Sequence, residues 1–175
     1  MNSRERGFSL VEVMVALIVM SVGLLGIAKM QAAALSNTAV ASTRSLAAIE
    51  ASSLASAMHA NRGYWSSSVV ATTITLRGKT VTPNVAPADD CVAKSCTPAV
   101  LAAYDLQQWT TAATQVLPPD YQATITCAPT VTPPNCTIQI QWAEKSVAIN
   151  KDGQPAAAAD SLALNLPKYE LYVEP

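Results

Sequence analysis

The sequence is short of the residues that most chemistry needs. One histidine, His59, occurs in 175 residues, so a Cys-His or Ser-His-Asp arrangement would have to be built on that side chain alone. His59 falls within a stretch that reads as helix, where a packed or solvated side chain is the default rather than a catalytic base. Glycine-rich phosphate-binding loops are absent. No enzyme activity and no cofactor are expected. Charge is scarce as well: 13% of the residues are charged and the formal net charge is −1. With no cluster of lysine or arginine there is no long-range field to draw a polyanion, so nucleic acid is not an expected partner. No internal repeat is evident.

What is abundant is apolar surface. Half of the residues are hydrophobic, which is apolar for a soluble domain and points to a membrane-seeking part. From Phe8 to Ala28 the sole charge is Glu12, and this run of about 21 residues is close to the ~20 needed to cross a bilayer as a helix. Arg4 and Arg6 precede it and Lys29 follows. That order keeps the N-terminus cytoplasmic and sends residues 30–175 outward, into an oxidising compartment. The remainder is enough for one modest domain. An ordinary secretory signal has the same charge order, with an apolar core from Val13 to Ala28 and small residues Ala32, Ala33 and Ala34 at a cleavage site. It explains neither Glu12, an acid that costs about 2.5 to 3.5 kcal/mol on insertion scales, nor Gly7, which stands before the apolar run.

The stretch "RGFSLVEVMVALIVMSVGLLG" resembles the N-terminus of type IV prepilins: a short basic leader ending in glycine, then phenylalanine, then glutamate at the fifth position of the processed chain. The resemblance implies cleavage by prepilin peptidase between Gly7 and Phe8, N-methylation of Phe8, and retention of the apolar helix in the mature protein. It also supplies a use for the acid. Glu12 lies near the positive end of a helix dipole, and in a filament it could meet the Phe8 amine of a neighbour. At ~4 Å and an effective dielectric of ~20 that attraction is about 4 kcal/mol gross, offset by desolvating both ions. Such a pair penalises a subunit that docks out of register.

Residues 1–7 are thus read as the leader, 8–28 as the transmembrane and assembly half of a helix, 29–63 as its amphipathic half, and 64–175 as a globular head. Between Lys29 and Arg62 there is no proline or glycine, and Met30, Leu35, Leu46, Ile49, Leu54 and Met58 recur at roughly helical spacing. The helix is expected from Phe8 to Arg62 with Gly63 as its stop. Gly23 and Gly26 interrupt the first half; major pilins commonly carry a proline in this helix, and this chain has none. The head reads as α+β: the long N-terminal helix packed against a small antiparallel sheet with one additional helix. "TTITLRGKTVTP" suggests two short strands turning at Arg77, Gly78 and Lys79. A helix follows with Thr97 as cap, Pro98 in the first turn, an apolar face of Leu101, Tyr104, Trp109, Ala112 and Val116, and a stop at Pro118 and Pro119. Ala123, Ile125 and Cys127, and then Ile138, Ile140 and Trp142, alternate with polar residues as strands with one wet face do. Lys145 to Asp160 reads as a loop, and "SLALNLPKYELYVEP" as one or two closing strands in which Pro167 argues for an edge or a bend.

Cys91, Cys96, Cys127 and Cys136 all lie in the exported part. Four cysteines permit three pairings, which sequence alone does not choose between; local closure favours Cys91 with Cys96 and Cys127 with Cys136. A zinc site is the rival, but the second spacing is too wide for the usual knuckle and the compartment favours oxidation. Asp89 and Asp90 are the one place for calcium, held by acidic loops in some pseudopilins, yet two adjacent acids beside prolines read more simply as a solvated loop. No metal is expected.

Beyond the leader, "SVGLLGIAKMQ", "MHANR", "YDLQQWTTAATQVLP", "ATITC" and "CTIQIQWAE" resemble the PilV-type minor pilins. That implies a low-abundance subunit, lodged in the inner membrane with a periplasmic head before it joins the pilus. Its partners would be membrane lipid, prepilin peptidase, the inner-membrane assembly machinery, other minor pilins and the major pilin. Its role would be to initiate or cap the pilus, and so support adhesion and twitching motility. A pseudopilin of a type II secretion system would use the same leader and helix, and a membrane-tethered periplasmic binding domain or enzyme is a further alternative.

Overall fold

The computed structural model describes residues 9–68, 70–83, 90–143 and 166–175. Gly7, Phe8, Asp89, the expected loop from Lys145 to Asp160 and the first residues of the expected closing strands, 161–165, lie outside the described residues. The chain divides into two units, Met1–Ala39 and Val40–Pro175. Helix α1 (Leu10–Ala60) begins in the first and ends in the second, running without a break through Gly23 and Gly26.

In the second unit α1 buries a stripe of Ala47, Ala51, Leu54, Ala55 and Met58, spaced three and four residues apart as one helical face requires. This corrects the expected face. Leu54 and Met58 are inside, but Leu46 is only half-buried, and Met30, Leu35 and Ile49 are exposed. Alanines, not the larger side chains, form much of the buried stripe, because a small side chain lets the helix backbone approach the core.

The expected stop at Gly63 is also corrected. The helix ends at Ala60, and a short helix α2 (Arg62–Trp65) contains Gly63 instead. The break falls at Asn61, whose backbone leaves the helical region at φ −114° and ψ 52°. The Asn61 side chain is buried and its Nδ2 donates to Pro98 O at 2.7 Å. A contact 37 residues further along the chain, not a local signal, thus sets this boundary.

Strands β1 (Thr73–Arg77) and β2 (Thr80–Thr82) form the expected hairpin. Arg77 opposes Thr80, leaving Gly78 and Lys79 as the loop. Gly78 has φ +55°, the left-handed conformation that the first position of a two-residue hairpin turn demands and that glycine adopts without strain. Helix α3 (Pro98–Val116) has Thr97 as N-cap, its side chain accepting from Val100 N, and Pro98 in the first turn. Its buried stripe is Ala102, Ala103, Leu106, Trp109, Thr110 and Ala113. Of the face expected from sequence, Trp109 is buried, Leu101 and Tyr104 are half-buried, and Ala112 and Val116 are exposed. Small residues again occupy the contact line.

Strands β3 (Gln122–Ala128), β4 (Asn135–Gln141) and β5 (Lys168–Val173) complete a five-stranded antiparallel sheet in the order β2-β1-β3-β4-β5. Ala123, Ile125, Cys127, Cys136, Ile138 and Ile140 point inward and are buried. The other face carries Thr75, Thr124, Gln139 and Glu170 in one row across the strands. β5 follows Pro167 and is an edge, as a proline at the strand's start allows. The inward residues join the α1 and α3 stripes in one core, giving the α+β fold of a long N-terminal helix on a small antiparallel sheet with one further helix.

Candidate functional site

The first unit presents apolar side chains without cover. Leu10 is 78% exposed and Leu24 68%, and the large apolar residues between them are exposed throughout. Among the described residues α1 is the helix long and apolar enough to cross a membrane, and none of its most apolar window is buried. So much uncovered apolar surface needs lipid or neighbouring chains. Within the apolar run Ser21 Oγ donates to Leu17 O at 2.7 Å, so the helix satisfies this polar group without water. The signal was there to be read: a serine inside a helix can always reach the carbonyl four residues back.

Glu12 lies in the first turn of α1. Its backbone N–H donates to Ser9 O at 3.0 Å, and that carbonyl also accepts from Val13 N at 3.3 Å. The carboxylate is therefore held where the unpaired N–H groups of a helix start make the potential positive. It is exposed on a surface that is otherwise apolar. Gly7 and Phe8, the expected cleavage and methylation positions, precede the described residues, so the structure places only Glu12 of this set.

The remaining sequence candidates lie in the second unit. Cys91 is joined to Cys96 with 5.6 Å between Cα atoms, and Cys127 to Cys136 with 4.0 Å. Cys127 and Cys136 are direct partners across β3 and β4, and both are buried, so the second bond staples the sheet from inside. Asp90 Oδ1 accepts from Val92 N at 3.1 Å, closing a turn in the loop ahead of α3. Among the described residues no group of three or more metal-ligating side chains occurs. His59 is exposed on α1.

One feature had no sequence signal: a cleft of about 410 Å³ between α1 and α3, lined by Glu50, Ser53, Ala57, Asp105, Gln108, Trp109 and Ala112. Trp109 Nε1 donates to Glu50 O at 2.9 Å and its ring meets Tyr121 edge to face at 6.3 Å. Burial raises the Glu50 and Asp105 carboxyls above the usual range. Tyr121 is raised by burial first and then by the Glu50 charge, while its hydroxyl donates to Gly78 O at 3.0 Å. Glu50 and Asp105 are 55 residues apart in sequence, and only the packing of α3 on α1 brings them together.

Residues 2–28 match the family model described as the prokaryotic N-terminal methylation motif. Comparison with curated proteins and with solved structures finds no match. The motif, joined to a long helix with uncovered apolar side chains, supports a type IV prepilin-like protein, a class that includes pilins and pseudopilins. It implies processing by prepilin peptidase and an assembly context, and it agrees with membrane anchoring through α1.

Proposed function

We propose that the protein is a minor pilin of a type IV pilus, of the PilV type. Residues 8–28 anchor it in the inner membrane, with the head in the periplasm, until it is drawn into the filament. Prepilin peptidase removes residues 1–7, the Phe8 amine is methylated, and Glu12 pairs with the amine of a neighbour. The subunit joins other minor pilins and the major pilin to initiate or cap the filament, and through the pilus it supports adhesion and twitching motility. It is not an enzyme. The observation that carries this reading is the matched methylation motif over residues 2–28, with an acid in the first turn of an uncovered apolar helix. A plain anchor needs the apolar surface but gains nothing from an acid in it.

The same motif fits a pseudopilin of a type II secretion system. Shearing filaments from cells and probing them for this chain separates the two. The pilus reading expects the chain in the sheared pilus fraction and in complexes with other minor pilins. Its recovery only with secretion components would replace that reading with the pseudopilin one. A chain that prepilin peptidase leaves uncut would instead be a tethered periplasmic domain.

A further inference from the structure

The four cysteines form two disulfides in unlike places. Cys127 and Cys136 are 5% and 0% exposed, and the sheet holds them from both sides: Cys127 N donates to Thr72 O at 2.9 Å, and Cys136 opposes Val173 of β5. Cys91 and Cys96 are half-buried, every residue between them is exposed, Val92 to 84%, and neither cysteine belongs to the core cluster. Their turn is built on local bonds. Ala93 N and Lys94 N donate to Asp90 O at 3.2 and 3.1 Å, and Val92 N donates to Asp90 Oδ1 at 3.1 Å.

Charge is distributed unequally along this turn. The Asp90 carboxylate stands next to Cys91, whereas Lys94 lies two residues before Cys96. Cys96 immediately precedes Thr97, the cap of α3, a helix of 19 residues with no acid in its first turn. The positive potential of that helix start is therefore not offset by a side chain of its own first turn. A cation and a helix start favour a thiolate, and a carboxylate disfavours one. Cys96 is thus the better leaving group, and Cys91 carries the sulfur open to attack.

We propose that Cys91–Cys96 is an exchange site for a protein dithiol, opened and reclosed while the head stays folded. One thiolate of the dithiol attacks Cys91 Sγ. The bond between Cys91 and Cys96 breaks, a mixed disulfide forms on Cys91, and Cys96 leaves as a thiolate that takes up a proton. The second thiolate of the dithiol then attacks its own protein's sulfur in the mixed disulfide. Cys91 leaves, takes up a proton, and the dithiol ends as a disulfide. Two electrons and two protons have passed to Cys91 and Cys96, and the reverse sequence closes the bond again. Cys127–Cys136 stays out of reach, because an attacking thiolate needs access to the sulfur. The inference rests on the two disulfides and not on the pilin reading.

The test uses the full mature chain in a non-ionic detergent, treated with reduced dithiothreitol and quenched at intervals with N-ethylmaleimide. Peptide mass spectrometry should show Cys91 and Cys96 modified at least about tenfold faster than Cys127 and Cys136, since exchange rates follow access. Near-ultraviolet circular dichroism of the tryptophans should be unchanged once the first pair has opened. Opening of both bonds together, or loss of the tryptophan signal with the first, overturns the proposal. A second arm uses a dithiol oxidoreductase whose second cysteine is replaced by serine, which should be trapped as a mixed disulfide on Cys91. An adduct on Cys96, or none, overturns it. The chain carrying Cys91→Ala and Cys96→Ala should keep the parent's tryptophan spectrum and trap nothing. If that spectrum is lost, the bond is needed for folding and the proposal fails.

Discussion

Glu12 and Glu50 are acids in unlike surroundings, one exposed in the first turn of an apolar helix and one half-buried beside α3, and single substitutions separate what each does. Glu12 projects from an apolar helix, so its removal should ease insertion into lipid and harm only the step that needs an opposite charge. Glu12→Ala is expected to reach the membrane and lose its leader normally, while its recovery in sheared filaments falls at least about tenfold, equivalent to roughly 1.4 kcal/mol in docking. Immunoblots of membrane and sheared fractions check this. Glu50 tests the head. Its carboxyl is raised by burial, so the folded chain holds the proton more tightly than the unfolded chain does. Its contribution therefore favours folding at acid pH and is lost as the pH climbs above the ordinary value of 4.5. Glu170 works in the opposite direction, because hydrogen bonds from Lys168 and then Gln139 lower it, and its contribution is lost as the pH falls. Comparing Glu50→Gln with the parent cancels Glu170. The variant's stability relative to the parent should rise as the pH climbs above the ordinary value of 4.5 in denaturant melts of the detergent-solubilised chain.

Among the elements, α3 makes the sharpest claim, because its buried stripe is not the row of its largest apolar residues. Leu106→Ala removes a side chain that is 1% exposed and should destabilise the head by about 2 to 5 kcal/mol. Val116→Ala, at 42% exposure, should change stability by less than about 0.5 kcal/mol. Urea titrations followed by near-ultraviolet circular dichroism distinguish the two. The sheet offers a parallel case: replacing Cys127 and Cys136 together by alanine opens the buried staple between β3 and β4 and should cost about 2 to 3 kcal/mol. The strands were legible because alternation with period two depends only on neighbours in sequence, and Ile125, Ile138 and Ile140 follow it. The hairpin at Gly78 was legible for the same reason. The helix faces were not. Whether Ala47 or Ile49 turns inward depends on how closely the sheet approaches, and alanine gives the hydrophobic pattern little weight. The Asn61 break and the Glu50–Asp105 cleft were hidden more completely, since each needs α3 in place before it has meaning.

For the whole molecule, the account assigns different tasks to its two units. The first exposes apolar side chains that only lipid or other chains can cover, and the second has its own core, disulfides and charged pockets. The N-terminal methylation motif was the most legible part, because order and position in a short motif carry its information without any folding. Which side chains of the head lie together was not legible, because Arg44, Trp142 and Lys168, for instance, converge only in the folded state. On the proposed reading the joint between these tasks is the processing of the N-terminus: without cleavage there would be no new amine for Glu12 of a neighbour to find. Intact-mass and peptide mass spectrometry of the chain purified from its own cells tests this most directly. The account predicts a mature chain that begins at an N-methylated Phe8. A chain that begins at Met1, or one cut beyond Ala34, would contradict it.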